Sequence, residues 1–177
     1  MKKLVTLLLV TVMLLGMIGC GGEEKSTQTT QAQTEATIPL SSDQMLMGFA
    51  VTDITPQEST PMGGFGVSSK RWSDSIGYPM KATAMALTGT NGETILAIAL
   101  DALTVREDWG ENLMLRICAA TGLDEQHVFI AASHSHASPD MGATSFDAVL
   151  RLQAMVLDRV TQAAVEALET LLQRDVY

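Results

Sequence analysis

Short apolar runs separated by polar turns dominate the chain after residue 44 and predict strands. Met47–Thr52, Ala82–Leu87 and Thr94–Leu100 are apolar stretches of the length usual for strands. Asn91-Gly92 lies between the last two runs, and this dipeptide is the strongest short signal for a hairpin. We therefore predict that Ala82–Leu87 and Thr94–Leu100 are antiparallel neighbours.

A helix and a further strand follow the hairpin. Apolar positions in Glu107–Ala120 recur at helical spacing, and Gly122 is placed to end that helix. Val128–Ala132 is again a short apolar run, so the strand before the helix and this strand form a parallel βαβ crossover. Ala148–Leu172 predicts a long amphipathic helix. The predicted fold is α/β, with a mixed sheet, an antiparallel hairpin, a βαβ crossover and helices packed on the sheet.

The N-terminal pattern is that of an export signal. Lys2 and Lys3 precede Leu4–Ile18, whose fifteen residues would reach about 22 Å as a helix, short of the roughly 30 Å hydrocarbon core. The segment Met17-Ile18-Gly19-Cys20 looks like a lipobox, which predicts that residues 1–20 are a lipoprotein signal peptide and that Cys20 is lipidated. The alternative is an ordinary secretory signal with a chance cysteine.

The composition predicts a tether and one exported domain. Residues 21–44 are polar and hold too few large apolar residues to offset the entropy of ordering, so we predict a flexible linker. Residues 45–177 then form one domain, held outside the cytoplasm and lipid-anchored to the bacterial cell membrane.

The net charge limits the classes of partner, and the number of cysteines limits the possible disulfides. Without Lys2 and Lys3 the chain keeps nine basic residues against 20 acidic ones, so the net charge goes from −9 to −11. We therefore expect no nucleic-acid partner, because such proteins need a basic surface. After lipidation of Cys20, Cys118 is the one thiol left, so no intrachain disulfide is expected.

Polar residues follow both predicted parallel strands. Asp101 comes directly after Ala99-Leu100, and His134 and His136 follow Ile130–Ala132. Because ligands of open α/β sheets bind outside the carboxyl ends of the strands, we expect the carboxylate and the two imidazoles at one edge.

The His-x-His spacing suggests a metal or catalytic site. On an extended backbone, residues two apart face the same side, so the rings of His134 and His136 would point into one pocket. Neutral imidazole is a good zinc ligand, and small residues around the pair leave room for a ligand. The alternative interpretation is a polar surface loop that holds two histidines by chance.

Several short motifs in the same order resemble the neutral/alkaline ceramidase family, a group of zinc-dependent amidases. The segment Ala132–Pro139 is similar to the histidine motif of that family, and Gly48–Pro56 to its entry strand. Met62–Gly66 resembles the glycine loop, and Ile98–Asp101 the strand that ends in aspartate. Gly122–Val128 resembles the approach to the histidine strand, and the order and spacing agree from about Gly48 to Leu172, essentially the whole predicted domain.

The resemblance implies roles for particular residues. It places His134 at a zinc ligand and His136 at a histidine that lines the substrate site and contacts the scissile group. The loop at Gly64 and Gly66 would approach the substrate through its backbone. Asp101 lies where it would orient a ligand or bind at the edge of the metal site.

The implied activity is zinc-dependent hydrolysis of the N-acyl amide bond of a lipid-like substrate. The other zinc ligands of the family (a second His, a Glu and a Tyr) and its essential serine come from far downstream, whereas this chain stops at Tyr177. We therefore expect an N-terminal portion of a larger α/β hydrolytic domain, inactive alone. The alternative is a non-catalytic surface lipoprotein, either a binding module or an inactive remnant.

Other polar residues have simpler structural interpretations. Asp53 is expected to cap the turn before Pro56, and Asp147 or Ser145 to cap the last helix. Cys118 lies within a predicted helix and is interpreted as a small buried apolar residue.

Overall fold

The computed structural model describes residues 44–66 and 70–175, the last four as backbone only. The predicted signal peptide (1–20), the lipidation site Cys20 and the predicted linker up to residue 43 lie outside the described residues. Within the described ranges, no helix has both the length and the apolar character needed to cross a membrane.

Five strands form one mixed sheet, and two helices lie on it. The sheet order is β4-β3-β2-β1-β5, with β3 and β4 parallel and the other neighbours antiparallel. The predicted α/β class, the hairpin and the βαβ crossover are confirmed. The elements are β1 (Gln44–Asp53), β2 (Lys81–Thr88), β3 (Thr94–Leu100), α1 (Glu107–Thr121), β4 (Val128–Ala132), α2 (Asp147–Glu169) and β5 (Leu172–Asp175), with a 3₁₀ turn at Glu125–His127 before β4.

Local chemistry explains the turn between β2 and β3 and the end of α1. The Asn91 side chain accepts a hydrogen bond from the Glu93 amide at 3.1 Å, and Gly92 adopts a φ of 80°, which glycine tolerates without steric cost. Gly122 ends α1 with a φ of 74°, and its amide donates to the carbonyl of Cys118. Cys118 packs at the margin of the core, and burial raises the pKa of its thiol.

The core lies between one face of the sheet and the two helices. Burial alternates along β2, so that Ala82, Ala84 and Ala86 are buried while the residues between them are more exposed. The small alanines let the helices come close to the sheet, and larger side chains fill the space that remains. These larger residues are Leu96, Ile98, Leu100, Leu113, Ile117, Val149, Val156 and Val160.

A glycine sets the distance between β1 and α2. A Cβ atom built on Gly48 would lie 1.8 Å from the carbonyl oxygen of Ala167 and 3.0 Å from the amide nitrogen of Leu171. Both atoms belong to backbone, which cannot turn aside as a flexible side chain does. The C-terminal end of α2 therefore sits directly on β1 because position 48 has no side chain.

The end of α2 differs from the prediction. The helix was expected to reach Leu172, but it ends at Glu169, and the chain continues as β5 along β1. The reason is tertiary: the Thr170 hydroxyl accepts a hydrogen bond from the Phe49 amide at 3.1 Å, and the following backbone pairs with Gln44–Met47. Pairing with β5 satisfies backbone hydrogen-bonding groups at the edge of β1. The helical spacing of apolar residues gives no sign of this pairing.

The start of α2 also corrects a prediction. The position before the helix is Phe146, which makes no side-chain capping hydrogen bond, so neither Asp147 nor Ser145 caps α2. Asp147 lies in the first turn, where its negative charge interacts favourably with the positive end of the helix dipole.

Asp53 ends β1 as predicted. Its carboxylate accepts a hydrogen bond from the Thr55 amide at 2.8 Å and forms an ion pair with Lys81 at 2.9 Å. The contact with Thr55, followed by the contact with Lys81, holds the pKa of Asp53 well below its usual range.

We expect Gly48→Ala to lower the free energy of unfolding by about 2–3 kcal/mol, because overpacking against backbone forces β1 and α2 apart. Urea denaturation measures the change. Gly77→Ala is the matched control, since a Cβ there meets no atom within 4 Å. Equal loss in both variants would contradict the steric explanation.

Acid should remove the contribution of Asp53 to stability. Its pKa is depressed in the fold, so the stabilisation is present above the ordinary carboxyl pKa of about 4 and is lost as the pH falls further. In Asp53→Asn we expect a shallower decline of the melting temperature between about pH 5 and pH 2 than in the parent chain. Asp124→Asn, outside this contact, should retain the parent slope.

Candidate functional site at the carboxyl edge of the sheet

The loop after β4 is fastened to the chain that follows β3. The Ser133 amide donates to the carbonyl of Leu100 at 2.9 Å, and the Ser135 amide donates to the carbonyl of Ala102 at 3.2 Å. These bonds continue the parallel pairing beyond the last residue of each strand. The histidines of this loop are therefore held at the carboxyl edge of the sheet, where the sequence placed them.

His134 has an unusual backbone and a defined ring orientation. Its φ is 59°, the only positive value among the described non-glycine residues, in a region that histidine enters more readily than most residues. Its Nδ1 lies 2.9 Å from the carbonyl oxygen of Leu103. A carbonyl only accepts, so Nδ1 donates its proton to this hydrogen bond, and Nε2 is the ring nitrogen that this bond does not use.

His136 lies beside His134, against the glycine loop. The two ring centroids are 5.3 Å apart, with the planes at 72°. The Phe65 ring meets His136 edge to face at 5.2 Å, and the Arg71 guanidinium lies 3.8 Å from the centroid of the Phe65 ring. A Cβ atom on Gly64 would lie 2.4 Å from Nδ1 of His136, so the imidazole rests against main chain.

Buried contacts join the histidine loop to the glycine loop. Ser138 is 1% exposed, and its hydroxyl donates to the carbonyl of Ser135 at 2.7 Å. The Gly63 amide donates to the carbonyl of Ser138 at 3.1 Å, and Met62 bridges to Pro139 in antiparallel fashion. The two loops therefore form one fixed wall at this edge.

Asp101 follows β3 at the same edge, as expected. Its Oδ2 accepts a hydrogen bond from the Lys81 amide at 2.9 Å, and its own amide donates to the carbonyl of Lys81 at 2.9 Å. These bonds tie the end of β3 to the start of β2. Its expected role beside a metal ligand stays a prediction.

A cleft of about 730 Å³ lies beside the histidine loop. Asp101, Ser135 and Ala137 line it, but neither His134 nor His136 does, so the two rings do not share this cleft. Its remaining walls come from residues 55–60 and 73–80 with Met62 and Pro139, and they include Ile76, which is 64% exposed, and Tyr78, which is 90% exposed.

The donor set fits part of a zinc site. With Nδ1 hydrogen-bonded to a backbone carbonyl, His134 offers Nε2 in the arrangement common for metal-binding histidines. Among the described residues, no group of three or more His, Cys, Asp or Glu side chains is placed to hold a metal. The described part of the chain thus offers at most two imidazoles, and a four-coordinate site needs further donors.

A solved structure has a similar fold: the neutral ceramidase from Pseudomonas aeruginosa, with a TM-score of 0.60 and 20% sequence identity. The fold of this chain is ceramidase-like. The match covers 72% of this chain and 22% of the ceramidase chain, so the likeness concerns about a fifth of that enzyme. No protein-family model matches the chain, and no curated protein matches it.

The two rings meet for a reason other than the one the spacing suggested. An extended backbone was expected to carry both histidines on one side, but β4 ends at Ala132, and His134 adopts the left-handed conformation. Contacts made by Leu103, Phe65 and Ser138 were not predicted. Two of these residues stand beside a recognisable signal in the sequence: Phe65 directly follows Gly63 and Gly64, and Ser138 directly precedes a proline. The Leu103 contact uses a backbone carbonyl, which every residue has, so no residue type marks it.

A pair of glycine substitutions tests whether position 64 orients His136. Gly64 and Gly66 have φ values of 84° and 82°, so alanine strains both backbones equally, by about 1 kcal/mol. Only Gly64→Ala also puts an atom against the imidazole, since a Cβ on Gly66 meets nothing within 4 Å. We expect the NMR resonances of the His136 ring to shift in Gly64→Ala and to stay unchanged in Gly66→Ala.

Proposed function

We propose that this chain is part of a zinc-dependent hydrolase of the neutral ceramidase type, which cleaves the N-acyl amide bond of a lipid-like substrate. The observation that carries the proposal is the pair of adjacent imidazoles at the carboxyl edge of a ceramidase-like sheet, with Nε2 of His134 left to bind a metal. The chain spans about a fifth of the ceramidase it resembles, so it would contribute one section of the active centre.

His134 is proposed as the metal ligand. Its Nδ1 proton is engaged by the Leu103 carbonyl, which fixes the ring and leaves Nε2 for the ion. A bound zinc ion lowers the pKa of coordinated water and polarises an amide carbonyl. The remaining donors would come from outside the described residues.

His136 is proposed to act on the substrate. Its ring lies next to that of His134 and is held from two sides by Gly64 and Phe65. From this position an imidazole would donate a hydrogen bond to the oxyanion that develops on the amide, or transfer a proton to or from it. The exposed side chains of Ile76 and Tyr78, which line the cleft beside the histidine loop, would offer apolar surface to the substrate.

The proposal also places the domain outside the cytoplasm, anchored to the cell membrane through acyl chains on Cys20. Its support is the charged start, the short apolar run and the Gly19-Cys20 pair. Mass spectrometry of the N-terminal peptide of the protein isolated from bacterial membranes tests this directly. An uncleaved N-terminus, or an unmodified Cys20, would contradict it.

Zinc binding by the full chain tests the role of His134. We expect calorimetry to detect binding that weakens about tenfold or more in His134→Ala, through loss of a direct ligand. His127→Ala is the matched control, because His127 lies before β4 in the 3₁₀ turn, away from the loop. Equal affinities in the parent chain and in His134→Ala would remove His134 from the site.

Hydrolysis of N-acyl amides by the same samples tests whether the chain is catalytic alone. With two imidazoles as its described donors, the isolated chain should show little or no turnover. Turnover that survives His134→Ala would contradict the proposed mechanism, whereas zinc-dependent turnover lost in that variant would show that the chain is catalytic alone.

A further inference from the structure

The cleft beside the histidine loop has the size and the walls of a small-molecule site. Its volume of about 730 Å³ lies within the range of ligand-binding pockets. Residues 55–60, residues 73–80 and the loop after β4 supply most of its walls, and much of this surface is apolar, including Ile76 and Tyr78. Ser135 lies between the two histidines in the chain and lines the cleft, which places the cleft next to the proposed reacting groups.

The charged side chains that line the cleft are all acidic. They are Glu58, Asp74 and Asp101, and no lysine, arginine or histidine of the described residues joins them. Glu58 is already neutralised, because the Arg151 guanidinium donates to its two carboxylate oxygens at 2.7 and 2.9 Å. Asp74 and Asp101 form no ion pair within the part of the chain that the structure describes. The cleft therefore attracts a cation and repels an anion.

Two polar groups of the cleft have hydrogen-bonding capacity left. Oδ2 of Asp101 accepts from the Lys81 amide at 2.9 Å, which holds the carboxylate in place and leaves Oδ1 for a ligand. Thr60 also lines the cleft and is 0% exposed, and its hydroxyl has no hydrogen-bond partner among the described residues. Such buried orphan hydroxyls are uncommon because they cost free energy, and a polar group of a ligand would satisfy this one.

A bare metal ion does not fit this arrangement. Across residues 44–66 and 70–175, no three His, Cys, Asp or Glu side chains are placed to hold one, whereas a hard cation such as Ca²⁺ takes about six to eight oxygen ligands. The apolar walls beside the two unpaired carboxylates suit an organic cation instead. An ammonium group donates to carboxylates in charge-assisted hydrogen bonds, and its alkyl or aryl body packs on the apolar surface.

We propose that the cleft binds the amine half of the amide substrate, an assignment that rests on the proposed function. Hydrolysis breaks the C–N bond: the water oxygen joins the acyl carbon, which leaves as a carboxylate, and the nitrogen gains both water protons and leaves as a primary ammonium. Asp74 and Asp101 attract that ammonium and repel the carboxylate. The acyl half of the substrate therefore lies outside this cleft.

NMR titration of the full chain with millimolar hexylammonium tests the assignment, with hexanoate and hexanol as probes of equal length. We expect hexylammonium to shift the backbone amide resonances of Gly77 and Ser135, which line the cleft, and to bind about tenfold more tightly than hexanoate. Uncharged hexanol measures the apolar contribution and should fall between them. Equal affinity for the ammonium and the carboxylate, no binding of hexylammonium, or shifts confined to residues outside the cleft would overturn the proposal.

A conservative substitution tests the role of the Asp101 charge. Asp101→Asn keeps an oxygen that accepts from the Lys81 amide but removes the negative charge. It should weaken hexylammonium about fivefold and leave hexanol unchanged. Asp124→Asn is the matched control, because it removes the same charge outside the cleft and should leave both affinities unchanged. Equal weakening in the two variants would mean attraction by the net charge of the chain, and would reject binding in the cleft.

The titration and the zinc measurement fail separately, because neither His134 nor His136 lines the cleft. Zinc binding at His134 without hexylammonium binding would reject the assignment of the cleft and keep the proposed metal ligand. Hexylammonium binding in the cleft of a chain that binds no zinc would support the cleft as a site for an organic cation and reject the hydrolase.

Discussion

The parallel pairing of β3 with β4 is the constraint on which the candidate site depends. It brings the chain after Leu100 and the chain after Ala132 to the same edge, and the amides of Ser133 and Ser135 extend the pairing into the loops. The carbonyl of Leu103 then lies within reach of the His134 ring. Without that pairing, the imidazole would have neither a fixed position nor a defined protonated nitrogen.

Much of the fold could be predicted because local patterns and tertiary packing agree. The bounds of β3 and β4 follow their apolar runs, and α1 ends where Gly122 allows a left-handed turn. The end of α2 could not be predicted, because the Thr170 hydroxyl and the edge of β1 compete with helical periodicity. The left-handed backbone of His134 was equally hidden, and so was the partner of its ring, the Leu103 carbonyl 31 positions earlier.

The candidate site, like the fold, could be predicted where local sequence patterns decide it and could not be predicted where tertiary contacts do. Sequence reasoning placed Asp101, His134 and His136 at one edge because each follows a strand, and the structure brings the two imidazoles into contact. The Asp101 side chain instead bonds to the start of β2. The similarity to a neutral ceramidase concerns the fold, over about a fifth of that enzyme.

The imidazole of His136 rests against the main chain at Gly64, and this contact limits which substitutions the glycine loop can accept. Many substitutions alter a side chain that holds a ring in place. The backbone surface at Gly64 changes only when a substitution adds a Cβ at that position. Gly66 also has a positive φ, so a substitution there strains the backbone, but it places no atom against the imidazole. Among diverged relatives of this protein, glycine at position 64 should therefore be retained where the surrounding residues change, as long as the position of the His136 ring is under selection.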